Sequence, residues 1–402
     1  MFVACNEKGI HVNVAEKKWS REGLKRMRKQ SNFFCPVCSN EVELKIGSVI
    51  TAHFAHKRLS DCTASISEAE SQYHLKGKLD LFEWLQIQPN LKDVRLEPYL
   101  GEIKQRPDIL FRDGEARIPL EFQCSKIDSK TFRKRSVSYL ELQMNVFWIL
   151  GAKTLKRAGS RSFLISPFQW LFAEIPSKGE PPRIYSYCTE SKSFIVLFSI
   201  IPFSPKLIFT FPQKYSLNSL DYHDLKRQKI SKQNVYVAWF DHIRKFRLKS
   251  SNYLTKDSAY LNMYLYKTKQ LPLSYLSSLA LLPLQTTYLI ESPVYVWQGW
   301  ILVYIDRIQL HQSFTFQDIC HYIEKKVVGK LIRIRRLPQI NLHYSYVIKE
   351  YLIQLCHLLI LKSSQKNIFI KNRNIQWLTN MEILLKDDEE MKRNFITING
   401  DR

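Results

Sequence analysis

RPDILF, residues 106–111, followed by IPLEFQCSK, residues 118–126, is the stretch on which the reading of this chain turns. In each piece apolar and β-branched residues alternate with polar ones, the pattern of a short strand, and the turn-rich RDGEAR lies between them. Alternation puts Arg117, Pro119, Glu121, Gln123 and Ser125 on one side of the second strand. Ile118, Leu120, Phe122 and Cys124 share the other, which is the side expected to pack. Asp108 on the first strand and Glu121 on its neighbour then point to one spot. Two carboxylates converging at strand ends, with a polar residue two positions after the second, can hold a divalent cation such as Mg²⁺ or Mn²⁺. A cation there can polarise a phosphate and activate a water.

Upstream, SEAESQYHLKGKLDLFEWLQ, residues 67–86, opens on a Ser-x-x-Glu start and runs in helical period. Glu70, His74 and Lys78 are four apart and share one face, while Leu75, Leu79, Phe82 and Leu85 mark an apolar one. In isolation the polar face reads as solvated surface. Set before the strands of a metal site, it can supply a further carboxylate and phosphate-binding groups. VRLEPYL is another strand, and its Glu97 could also reach the metal. Asp128 caps a helix over SKTFRKRSVSYLELQ that carries Arg133, Lys134 and Arg135, and VFWIL, 146–150, is a buried strand. Helix, three strands, helix, strand predicts a small α/β unit with a mixed sheet.

The first 66 residues read differently. FVAC and IHVNV around NEKG form a hairpin, and KKWSREGLKRMRKQ, which includes Arg26 and Arg28, is a basic helix suited to phosphate contact or to a solvated face. The chain then runs Cys35-x2-Cys38, fourteen residues, His53-x2-His56, five residues, Cys62. A CPxC knuckle turns two thiolates to one point, and a closed structural Zn²⁺ site follows from Cys35, Cys38 and Cys62 with one of the two histidines. A redox CxxC would need a βαβ context that is absent.

Over the whole chain, 60 Lys plus Arg against 37 Asp plus Glu gives a net charge of +23, which suits a polyanion, nucleic acid before an anionic membrane surface. Hydrophobic residues at 45% exclude a disordered protein, and 402 residues suggest two or three domains. MFVACNEKGIHV is not a secretory leader, and eight unevenly spread Cys are no disulfide framework, so a cytoplasmic protein is expected. The uncharged stretch Leu271 to Ile290 reads as core and not as an integral membrane segment. Beyond residue 165 the sequence reads as mainly helical, basic and aromatic, with GKLIRIRRLP, 329–338, the densest late basic patch. Cys320, His321, Cys356 and His357 read as core residues.

The Pro-Asp, twelve residues, Glu-x-Gln spacing resembles the PD-(D/E)xK nuclease core. CPVC, HFAH and Cys62, then SEAESQYHLKGKL, QRPDILF and IPLEFQCSKI, then Phe132, Arg135, Tyr139 and FWIL, together resemble the CoiA family of bacterial competence proteins. The resemblance implies a zinc-finger-like module (1–66), a restriction-endonuclease-like core (67–165) and a C-terminal region (166–402), in a cytosolic protein that acts on incoming DNA before or during recombination. DNA, single-stranded or branched, and recombination proteins of the transformation machinery are the implied partners. Asp108 and Glu121 match the metal-binding carboxylates, Glu70 the first-helix acid, and Gln123 the position usually held by Lys. Gln can hold a water but brings no positive charge, and Lys78 is the better stand-in. His74, Arg106 and Arg135 are further expected DNA contacts. The alternative is a DNA-binding mediator of recombination that keeps the fold without turnover.

Overall fold

The NEKG sequence makes its turn because the Asn6 Oδ1 accepts from the amides of Lys8 and Ile10 while Gly9 takes φ +73°. The hairpin β1 (Val3–Asn6) and β2 (His11–Asn13) thus begins the computed structural model, which describes residues 1–47, 50–57, 62, 71–227, 231–249, 254–338 and 341–400. The chain divides into two compact units. One comprises Met1–Thr154, Ile184–Val196 and Gln213–Gln228; the other comprises Leu155–Arg183, Leu197–Pro212 and Lys229–Arg402.

In the first unit Ser20 caps α1 (Arg21–Gln30), a helix that buries only Leu24 and leaves Arg26 and Arg28 exposed. Then come β3 (Phe33–Phe34), β4 (Glu41–Lys45) and β5 (His53–His56), giving an antiparallel sheet in the order β2-β1-β3-β4-β5. Ser71 caps α2 (Gln72–Gln86), followed by β6 (Leu91–Leu96), β7 (Ile109–Asp113) and β8 (Ala116–Gln123). Asp128 caps α3 (Ser129–Glu141) by accepting from the amides of Lys130 and Thr131, and β9 (Phe147–Gly151) follows.

β6, β7 and β8 pair antiparallel, whereas β9 lies parallel to β8 after the α3 crossover. The sheet continues through β10 (Lys156–Arg157), β11 (Ser162–Leu164), β12 (Ile184–Cys188), β13 (Ser193–Pro202) and β14 (Leu207–Ser216). Its order is β10-β11-β14-β13-β12-β9-β8-β7-β6, a mixed sheet.

One expectation is corrected here. Alternation predicts that only the Leu120 and Phe122 side of β8 packs, yet Pro119, Glu121 and Gln123 are buried as well. Helices cover both faces. Phe122 stacks on His74 of α2, and a Cβ at Gly77 would fall 2.2 Å from the Phe122 ring, so the helix seats there only because it carries glycine. Arg135 and Tyr139 of α3 lie on the Glu121 side.

The second unit holds α4 (Pro167–Trp170), α6 (Gln233–Leu248) and α7 (Lys256–Lys269), whereas α5 (Tyr222–Arg227) belongs to the first. The uncharged stretch 271–290 folds as short 3₁₀ turns, largely buried, against α8 (Val294–Asp306). No helix among the described residues is long and apolar enough to cross a membrane. Next come β15 (Ser313–Thr315), α9 (Phe316–Val328), α10 (Ser345–His357), β16 (Leu361–Gln365) and β17 (Ile368–Lys371), with sheet order β15-β17-β16; α11 (Met381–Asn399) ends the described helices. His321 and His357 stand exposed, which corrects their reading as core.

Candidate active site and metal centre

The carboxylates come together because β6 ends where β7 begins: the Glu97 amide donates to the Asp108 carbonyl at 2.9 Å, and the Phe122 amide of β8 donates to Asp108 Oδ2 at 2.9 Å. Asp108 therefore sits just before its strand, held by the backbone of the next. Lys78 of α2 is fully buried between two acids, donating to Glu97 Oε1 at 2.6 Å and lying 3.0 Å from Asp108 Oδ1. One helical turn earlier, His74 Nε2 is 3.3 Å from Asp108 Oδ2. Glu97 Oε2 accepts from the amides of Phe2 and Val3, at 2.7 and 3.1 Å, which ties the N-terminal strand to the cluster.

Glu121 faces the other helix. It accepts from the Tyr139 hydroxyl at 2.5 Å and from Arg135 Nη2, and only 2% of its side chain is exposed. Burial lifts its pKa to about 7, with Arg135 and Tyr139 pulling it down and the Asp108 charge adding to the rise. Burial also acts against the Arg135 charge, but Glu121, Tyr139 and Asp108 hold that guanidinium above its usual range. Gln123 Nε2 donates to the Ser125 carbonyl and hydroxyl, at 2.9 and 3.2 Å. Arg106 Nη1 lies 3.0 Å from the Met1 sulfur. Glu70 lies outside the described residues.

Glu97, Asp108 and Glu121 set three acids beside the cations of Lys78 and Arg135, and a buried carboxyl is pushed toward neutrality by burial and by its acidic neighbour. Carboxylate oxygens are the donors a hard divalent cation takes, but here they are engaged by Lys78, His74, Arg135, Tyr139 and backbone amides.

In the N-terminal module the sulfurs of Cys35, Cys38 and Cys62 and a ring nitrogen of His56 lie within 4.8 Å of one another. Cys35 Sγ is 3.9 Å from Cys62 Sγ, and Cys38 Sγ is 3.3 Å from His56 Nε2. The knuckle closes through the Ser39 amide on the Cys35 carbonyl and the Cys35 amide on the Asn40 carbonyl. Three thiols and an imidazole fit a tetrahedral zinc ion. Strand geometry selects the histidine: residues three apart on β5 point to opposite faces, so His56 joins the cysteines while His53 Nδ1 meets the Thr51 carbonyl at 2.8 Å. Burial pushes the Cys38 thiol up to about 12, so a metal taken there must displace a proton.

Three family models match the chain in sequence order: the Competence protein CoiA N-terminal domain over residues 16–65, its nuclease-like domain over 70–230 and its C-terminal domain over 235–385. The Competence protein CoiA of Bacillus subtilis (strain 168) is 30% identical over 361 residues, 90% of this chain and 95% of that protein. This chain belongs to the CoiA family. No solved structure matches it. The nuclease-like domain of this CoiA family member carries the whole carboxylate cluster, and the N-terminal match carries the four Cys and His groups. Sequence reasoning missed Tyr139 as a partner of Glu121, although Arg135 and Tyr139 are four apart and so share a helix face. It also missed the Phe2 and Val3 amides, for which no local signal exists.

Proposed function

We propose that this chain is a cytoplasmic, metal-dependent DNA nuclease acting on incoming DNA during transformation and its recombination. The observation that carries the reading is the buried Lys78 held between Glu97 and Asp108, with Glu121 alongside. Asp108 and Glu121 would hold Mg²⁺ or Mn²⁺, and Glu70 is proposed as the further acid from the same helix. Bound there, a divalent cation supplies polarisation of the scissile phosphate and a more acidic water. The chain's own groups do the rest. The Lys78 ammonium offsets charge that grows on the phosphate, the task of the usual Lys at the Gln123 position. His74 orients the Asp108 carboxylate and, with Arg106 and Arg135, offers positive or donor groups to the backbone. The exposed Arg26 and Arg28 of α1 are proposed as further phosphate contacts, and a zinc ion would close the N-terminal module as a structural element.

A second reading has its own support. Gln123 is engaged with Ser125 and the Glu121 carboxylate is already taken by Arg135 and Tyr139. A DNA-binding recombination mediator without turnover is consistent with that closure. The test is cleavage of labelled single-stranded, duplex and branched DNA with Mg²⁺ or Mn²⁺, wild type beside Asp108→Ala, with gel retardation on the same samples. Cleavage lost in the variant while retardation stays is the expected result. Retardation without cleavage by either protein would overturn turnover and leave the mediator reading.

A further inference from the structure

The second unit contains a cleft of about 770 Å³, within the size range of small-ligand sites. Its walls include Leu171, Pro205, Leu207 and Leu337, and its charged lining is Lys206, Arg333, Arg335 and Arg336 against the single acid Glu291. The cations differ in what they do. Arg333 is committed: its Nε and Nη2 each lie 3.0 Å from Asp257 Oδ2, and its Nη1 lies 2.7 Å from Glu291 Oε1. Lys206 and Arg336 are exposed and make no ion pair among the described residues.

Arg335 is the unusual group. Its guanidinium lies 3.9 Å over the Trp170 ring, and its Nε donates to the Tyr288 carbonyl at 3.1 Å. Its Nη2 is shut off from solvent with no hydrogen-bond partner, and the Trp170 Nε1 is likewise buried without one. The backbone holds Arg335 there, because its amide donates to the Leu289 carbonyl and Ile334 bridges to Ile290. A buried donor left unmade costs stability unless a ligand completes it. Burial pushes this guanidinium down to about 10, so an anion placed beside it would relieve a real electrostatic cost.

We propose that this cleft binds a nucleotide, its phosphate on Arg335, Arg336 and Lys206 and its base and sugar against the apolar wall. A guanidinium fork suits phosphate oxygens, and the apolar lining can cover a base and sugar. An acidic peptide would bring charge without a rigid apolar body to cover Leu171 and Leu207. The nucleotide could be free or part of a strand. The cleft residues belong to the second unit, and binding there does not depend on cleavage.

The test uses the full-length zinc-loaded protein without added Mg²⁺, and fluorescence anisotropy of labelled dTMP, labelled (dT)₂₀ and a labelled poly-glutamate peptide. Wild type is compared with Lys206→Ala/Arg336→Ala, both exposed positions, and with Arg335→Lys, with melting curves as a check on folding. At least a tenfold loss of affinity for dTMP or (dT)₂₀ in the folded double variant is expected. For (dT)₂₀ it comes with a shallower salt dependence, the slope falling by up to about 1.4 when two phosphate-binding cations are removed. Binding of dTMP alone assigns a free nucleotide, and binding of (dT)₂₀ alone assigns a strand; both support the site. Unchanged affinity in both folded variants, or peptide binding with the same losses, overturns it. Wild type that binds yet never cleaves DNA would remove the nuclease reading and leave this one standing.

Discussion

Glu121 is the residue where charge, burial and chemistry meet. Because burial lifts its pKa from an ordinary 4.5 to about 7, the fold favours the neutral acid. The sign follows for the metal-free protein: whatever stability Glu121 gives is present below 4.5 and is lost as pH rises through about 7. If Glu121 holds the proposed metal, it must give up its proton to do so, and cleavage should then fall as pH drops and the neutral acid is favoured. Tyr139→Phe deletes a hydrogen bond that favours the ionised form, so its pH–rate midpoint should move upward; a midpoint unchanged from wild type would remove Glu121 from the titration. Lys78 poses the opposite test. It is 0% exposed and compensates two acids, so Lys78→Met strands buried negative charge and should cost about 3–5 kcal/mol in urea unfolding. A loss under about 1 kcal/mol would mean that the acids are neutral without it.

Among the elements, the strands around RPDILF and EFQ were legible because their alternation and the RDGEAR turn are local signals. So were the α2 and α3 periods and the Asp128 cap. The burial of both β8 faces was not legible, since polar residues at Glu121 and Gln123 look like a solvent side until two helices are known to flank the sheet. The apolar run 345–362 falls in the region expected to be mainly helical, but α10 stops near Leu358, Leu359 takes φ +60°, and β16 begins at Leu361. Periodicity alone cannot separate helix from strand in so apolar a segment. For zinc, the sequence supplied five ligands for four places, and the two-residue period of β5 chose among them. His53→Asn should therefore keep one zinc per chain by plasma emission analysis, while His56→Asn should lose it on gel filtration and lower the melting temperature of the N-terminal module. Equal retention in both variants would unseat His56.

At the scale of the molecule, the charge of +23 pointed to a polyanion, but the second unit stayed nearly silent because what holds it together is long-range. Arg247 of α6 is the plainest case. Wholly buried, it places Nε and Nη2 on the Asp388 carboxylate of α11 at 3.0 and 2.8 Å and Nη1 on the Ser274 carbonyl at 2.9 Å. Arg247 and Asp388 stand 141 residues apart, and nothing in either neighbourhood announces the other. In the sequence Arg247 is one of many basic residues in a region that reads as mainly helical, basic and aromatic. The fold spends it inside. Losing one partner of such a pair leaves the other charge buried, so Arg247→Met should destabilise the protein by about 3–5 kcal/mol. Replacing both, Arg247→Met with Asp388→Leu, should recover a large part of that loss, because no charge is then left alone in the interior. Zinc content should be unchanged in both variants, since the four ligands belong to the first unit. If the double variant were as unstable as the single one, the carbonyls that Arg247 binds, and not its ion pair, would be what α6 needs from it.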